Sequence, residues 1–203
     1  MTKGRVEAFS DGVIAIIITI MVLELHPPEG TTLADLQPVL PKMLGYVLSF
    51  VYVAIYWNNH HHLMQVVRHV RGGVLWANMH LLFWLSVIPF TTAWMSEHHA
   101  APATTALYGG NLLLSGIAYT ILVRALLKVN PPETGLAEAI GRDWKGWVSL
   151  AGYAVAIPIA FFNQWISVAI YVSVALVWFV PDSRIERVLV KQASDPGDTH
   201  HRH

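Results

Sequence analysis

The sequence predicts an all-α integral membrane protein that crosses the bilayer six times, and three observations carry that prediction. Of its 203 residues 54% are hydrophobic and only 13% are charged, against about 25% charged in an average soluble protein; mean hydropathy is +0.46. Six apolar segments recur along the chain. When they are threaded alternately through a membrane, all of the 13 Lys and Arg residues except Lys42 fall on one side. That asymmetry marks the cytoplasmic face and places both termini there, which an even number of crossings requires.

The segments run at 8–25, 39–57, 74–95, 104–127, 147–162 and 165–180. The first follows Lys3 and Arg5 and so imitates a secretory signal. HPPEG rather than a small-x-small cleavage site follows Leu25, so it is read as a retained helix. The outer loop 26–38 leads to the second segment. The third carries Asn78 and His80 in an otherwise apolar span, and Pro89 is expected to kink or end it. The first four segments approach the roughly 20 residues that span a bilayer, and the last two are shorter. Between those two, Pro158 and the amides Asn163 and Gln164 favour a tight hairpin over one long helix, because lipid offers a broken helix no hydrogen-bond partners. Residues 1–182 form a single six-helix domain, with an inner loop at 130–146; residues 183–203 read as a short basic amphipathic tail ending in the disordered SDPGDTHHRH.

Composition removes several function classes. Net charge is zero, so no basic field for nucleic acid is present, and with no cysteine there are no disulfides, thiolate metal sites or cysteine nucleophiles. There is no TVGYG filter, no arginine ladder, no Walker motif and no nucleophile elbow. No enzyme activity and no cofactor are expected.

Four groups of residues invite a function. At the start of the first segment Arg5, Glu7, Ser10 and Asp11 crowd one helix mouth; they read either as a snorkelling helix end or as groups that bond to neighbouring helices and fix this helix in a bundle centre. Beyond them Ile16, Ile20 and Leu23 lie within about 60° of one another, with Thr19 one step aside. This stripe is either lipid-facing, with Thr19 bonded back to the Ala15 carbonyl, or the wall of a pore gated by dewetting. In WNNHHH, residues 57–62, three successive histidines fan over about 200° of helix and cannot share one metal. His60 or His61 is instead expected to pair with the Asp11 cluster, and Asn78 is a further candidate partner for the first helix.

These residues resemble the bacterial homologues of the lysosomal potassium channel transmembrane protein 175. The resemblance rests on R-x-x-x-F-S-D (Arg5, Phe9, Ser10, Asp11), on WNNHHH, on LWANMHLL…IPF in the third segment and on a proline in the fifth, in order along the whole chain. It implies a homotetramer in a bacterial cytoplasmic membrane, permeable to potassium and other monovalent cations, with the first helix of each subunit lining a central pore. It implies a constriction at Ile16, Ile20 and Leu23, a selectivity position at Thr19, and a locking network of Arg5, Phe9, Ser10, Asp11, His60, His61 and Asn78. Glu24, just beyond the constriction, is a candidate for a ring of carboxylates at the outer mouth. The alternative is a proton or small-cation carrier built on the His and Asp groups near the inner edge.

Overall fold

The computed structural model describes residues 2–131, 136 and 143–179. The described chain forms six α-helices: α1 Lys3–Leu23, α2 Leu40–Val66, α3 Gly72–Glu97, α4 Pro102–Val129, α5 Trp144–Ile159 and α6 Gln164–Phe179. A 3-10 helix, Leu33–Val39, leads into α2 and occupies part of the expected outer loop. The first four are long and apolar enough to cross a membrane, whereas α5 and α6 have 16 residues each. Most of the inner loop 130–146, the tail 183–203 and the basic residues Arg142, Arg184, Arg187, Lys191 and Arg202 lie outside the described residues.

The helices alternate in direction. α1 packs against α2 and α3, α3 packs against α4, and α4 carries the α5–α6 hairpin, so α1 and the hairpin stand at opposite sides of the bundle. Lys3, Arg5, Arg68, Arg71, Arg124, Lys128 and Lys145 all belong to one end of it, and the Lys42–Glu97 ion pair (3.0 Å) to the other. Two cores fill the interior. One joins α1 to α4 through Ile14, Ile17, Met21, Val53, Leu81, Leu85 and Leu122. The other is aromatic, with Tyr52, Tyr108, Tyr153 and Tyr171 joining α2, α4, α5 and α6. Its phenols find partners as lipid-embedded groups must: Tyr52 donates to the Tyr171 carbonyl (2.6 Å) and Tyr171 to the Thr105 carbonyl (3.1 Å).

The helices depart from the bounds of the apolar segments. α2 continues beyond its apolar segment to Val66, with WNNHHH in its later turns. α1 begins at Lys3 and ends at Leu23. Pro89 does not end α3, which runs eight residues further to Glu97. The hairpin follows the sequence reading: Pro158 sits in the last turn of α5, and Asn163 caps α6 by accepting the Trp165 N–H (3.0 Å).

The α3–α4 turn closes α3 with paired bonds, Ala100 N–H to Met95 O (2.8 Å) and His99 N–H to Ser96 O (3.3 Å). This is a Schellman cap, which favours glycine at its left-handed position. Here His99 takes that role at φ 51°, followed by Ala100 at φ 57°. His99→Gly is expected to raise stability by about 0.5–1 kcal/mol, read as a higher unfolding midpoint in detergent.

Candidate functional site

The inner half of α1 is fixed by two sets of side-chain contacts. The first is a ladder between antiparallel α1 and α2, built on steps of four residues along both helices. The Lys3 ammonium donates to the Gln65 carbonyl (3.0 Å), Glu7 Oε1 lies 3.3 Å from His61 Nδ1, and Trp57 Nε1 donates to Asp11 Oδ1 (3.0 Å). Residues four apart share a helix face, so Lys3, Glu7 and Asp11 meet Gln65, His61 and Trp57 rung by rung. The α2 side is tied together in turn: the Trp57 and His61 rings stack at 5.7 Å, and Gln65 Nε2 lies 2.9 Å from His61 Nε2.

The second set is buried and joins three helices. Ser10 Oγ donates to the Val6 carbonyl (2.8 Å) and accepts from Asn78 Nδ2 (2.9 Å). With that nitrogen committed, Asn78 Oδ1 faces His60 Nε2 at 2.9 Å, so Nε2 carries the proton. Ser10 and His60 have no exposed surface and Asn78 almost none. His60 Nδ1 is buried without a hydrogen-bond partner, as is His62 Nδ1. Among the described residues no group of three metal-ligating side chains gathers, and the three histidines diverge: His60 towards α3, His61 towards α1.

His61 meets Glu7 of the Asp11 cluster, Asn78 bonds to Ser10, and Asp11 itself bonds to Trp57 rather than to a histidine. Arg5 and Phe9 are exposed and lie outside these contacts within the subunit. Trp57, Lys3 and Gln65 were missing from the expected groups; their four-residue spacing was the signal for them.

Beyond this anchor α1 presents two faces. Val6, Ser10, Ile14, Ile17 and Met21 are buried against α2 and α3. Opposite them, Ile16 is 59% exposed, Ile20 43% and Leu23 75%, with Thr19 exposed beside them. At 100° per residue Arg5, Phe9 and Gly12 lie within about 40° of Ile16, so one exposed stripe runs the length of the helix. The Thr19 hydroxyl donates to the Ile16 carbonyl (2.8 Å), not to Ala15, and so leaves its lone pairs outward. Beside the stripe an open groove of about 530 Å³ is lined by Ile16, Ile17, Ile20 and Glu24 of the α1 side and by Ser86, Pro89 and Phe90 of α3. Glu24 caps α1 and stands about 80° from the Ile16 direction, turned towards this groove. Asn78→Ala is expected to leave Ser10 and His60 short of partners and to cost about 1–3 kcal/mol, measured as a lower unfolding midpoint of the purified protein.

Comparisons with known proteins agree with this architecture. The family described as endosomal/lysosomal potassium channel TMEM175 matches residues 5–89, which span α1, α2 and most of α3. A potassium channel of Chryseobacterium sp. (strain P1-3) is 53% identical over 189 residues, covering 93% of this chain and 98% of its own. The human endosomal/lysosomal proton channel TMEM175 is 38% identical over 80 residues, 34% of this chain and 16% of that protein. The crystal structure of a lysosomal potassium-selective channel TMEM175 homolog from Chamaesiphon minutus superposes with a TM-score of 0.76 at 27% identity, covering 88% of this chain and 96% of the other. The chain belongs to the TMEM175 family.

Proposed function

We propose that this chain forms a potassium-permeable cation channel, a homotetramer in which α1 of each copy lines a central pore. The observation that carries this reading is the exposed stripe of α1, which runs from Arg5 through Gly12 and Ile16 to Leu23 on a helix whose other face is anchored by hydrogen bonds. Four copies around one axis bury such a stripe symmetrically. Ile16, Ile20 and Leu23 then form stacked aliphatic rings, the constriction. Such rings raise the free energy of a wetted pore and of an ion that gives up water. Potassium gives up its water more readily than sodium, so the preference is for potassium and modest. Thr19, its proton spent on the Ile16 carbonyl, offers lone pairs to a passing cation and is the selectivity position.

In this reading the anchor of Ser10, Asp11, His60, His61 and Asn78, with Glu7 and Trp57, locks the rotation of α1. Arg5 and Phe9, free of it within one subunit, meet the neighbouring copies. The membrane is the bacterial cytoplasmic membrane, with both termini inside, as the basic end of the bundle supports. Glu24 stands off the axis and acts on cations through its field rather than by contact. A second reading, a proton or small-cation carrier, draws on buried His60, whose Nδ1 has no partner beside the Ser10–Asn78 contact, and on the human relative's name as a proton channel.

Single-channel recording in planar bilayers, with potassium on one side and sodium on the other, tests the proposal. Unitary steps reversing towards the potassium potential support it; saturable flux without steps, driven only by a proton gradient, supports the carrier. Ile16→Asn is expected to wet the constriction and raise the leak current, and a variant indistinguishable from the parent excludes Ile16 from the constriction. Glu24→Gln is expected to lower conductance by about twofold or less, at low salt only, since a field effect is screened as the Debye length shrinks.

A further inference from the structure

Pro89 is buried in α3 beside the groove that flanks the α1 stripe, and α3 continues through it with a partner on α4. A proline removes one backbone donor and crowds the preceding turn. Asn111, almost fully buried, reaches across from α4 to the α3 backbone just before the proline. One orientation of its amide sets its oxygen against the Trp84 carbonyl and its nitrogen against the Ile88 N–H, a repulsive pairing. The reversed amide fits: Nδ2 donates to Trp84 O (2.9 Å), and Oδ1 accepts from Ile88 N–H (3.1 Å) and from the Thr91 hydroxyl (3.1 Å). Trp84 O and Ile88 N–H are the two groups that a regular helix closes on each other. Asn111 thus takes part in the backbone ladder of another helix.

A second tie holds the segment beyond the proline. Thr92 donates to the Ile88 carbonyl (2.7 Å), so its oxygen is left to accept. Ser49 of α2 lies 2.7 Å from Thr92 Oγ1 and 2.9 Å from the Tyr108 hydroxyl of α4. The proton order is then fixed from Tyr108 to Ser49, from Ser49 to Thr92, and from Thr92 to the α3 backbone. Every member is buried. On the opposite side of the same turn, Ser86, Pro89, Phe90 and Ala93 form the wall of the groove that faces Ile16, Ile17 and Ile20.

We infer that Asn111 is a positioning residue for conduction: by bonding to the α3 backbone at Trp84 and Ile88, it fixes the turn that precedes Pro89 and with it the stance of Ile16 and Ile20. The inference rests on the reading of the α1 stripe as the pore wall. Asn111 touches no permeating ion; it acts through α3.

Four variants and one control test it on the assembled channel. Asn111→Leu keeps the branched outline of the side chain, with bulkier ends, but removes its bonds to Trp84 O and Ile88 N–H. It is expected to change unitary conductance by about twofold or more, whereas Ser167→Ala, which removes an equally buried hydrogen bond to Ala156 O in the hairpin (2.7 Å), leaves conductance unchanged. In a Pro89→Ala background the effect of Asn111→Leu is expected to shrink, because a helix with its donor restored no longer depends on the amide. Assembled Asn111→Leu channels with parental conductance overturn the inference. Should that variant fail to assemble, Thr91→Val, which removes one of the three bonds, is expected to shift conductance in smaller measure, and an unchanged value overturns the inference equally. Ile20→Cys, in a chain with no other cysteine, separates the two readings. If a water-soluble thiol reagent leaves its current untouched, the pore-wall reading fails; if the reagent blocks and Asn111→Leu does nothing, only the role of Asn111 fails.

Discussion

Asn78 spends both halves of its amide on other helices, the nitrogen on Ser10 of α1 and the oxygen on His60 of α2, and the placement of α1 depends on that arrangement. α1 packs against α2 and α3 alone among the helices with which it makes extensive contact. Its apolar contacts, through Val6, Ile14, Ile17 and Met21, fill space but tolerate small rotations. Hydrogen bonds do not, since they weaken steeply with misalignment. In a medium without water the alternative to a correct rotation is an unsatisfied polar group, which costs several kcal/mol. The buried relay therefore selects one azimuth for α1, and that azimuth decides which residues face away from the bundle.

The two halves of α1 are held by different physics. At the inner end the relay and the ladder from Lys3 to Asp11 give directional constraint. At the outer end α1 has only apolar packing and the groove wall contributed by α3 around Pro89. The base is consequently rigid, while the region of Ile16 to Leu23 takes its position from a neighbouring helix that is itself shaped by a side chain of α4. Among the described residues the α5–α6 hairpin stands on the tyrosine core and packs against α2 and α4.

What the sequence disclosed follows from the same constraint. Lipid demands long apolar helices and segregated basic residues, so the segments and their alternation were legible, and Pro158 with Asn163 announced the hairpin. Helix ends were less legible, because hydropathy falls before hydrogen bonding stops: α2 carries its polar WNNHHH and continues to Val66. Whether Pro89 would kink or end α3 was not legible because propensity is local, whereas Asn111, whose amide meets the α3 backbone beside it, lies on another helix. Asn78 and Ser10 were recognisable as polar groups that needed partners. Their pairing was not, since periodicity gives the face of a residue but not its opposite number. The rungs Glu7–His61 and Asp11–Trp57 show the exception, because matched four-residue steps on two antiparallel helices do predict register.

The exposed surfaces of the molecule differ in a way that bears on what covers them. On α5 and α6 the exposed large apolar side chains are Trp144, Trp147, Val148, Val155, Trp165, Ile166, Val172, Leu176 and Phe179, apolar along the span with tryptophan towards the ends, as lipid requires. The α1 stripe contains a guanidinium at Arg5 and a glycine at position 12. A β-carbon added at Gly12 meets no atom within 4 Å, so nothing inside the subunit requires the residue to be small. Glycine in a helix interior costs about 1 kcal/mol relative to alanine, and lipid would not require it either. In the proposed tetramer, close approach of α1 helices from other copies is what gives a small residue at position 12 a role.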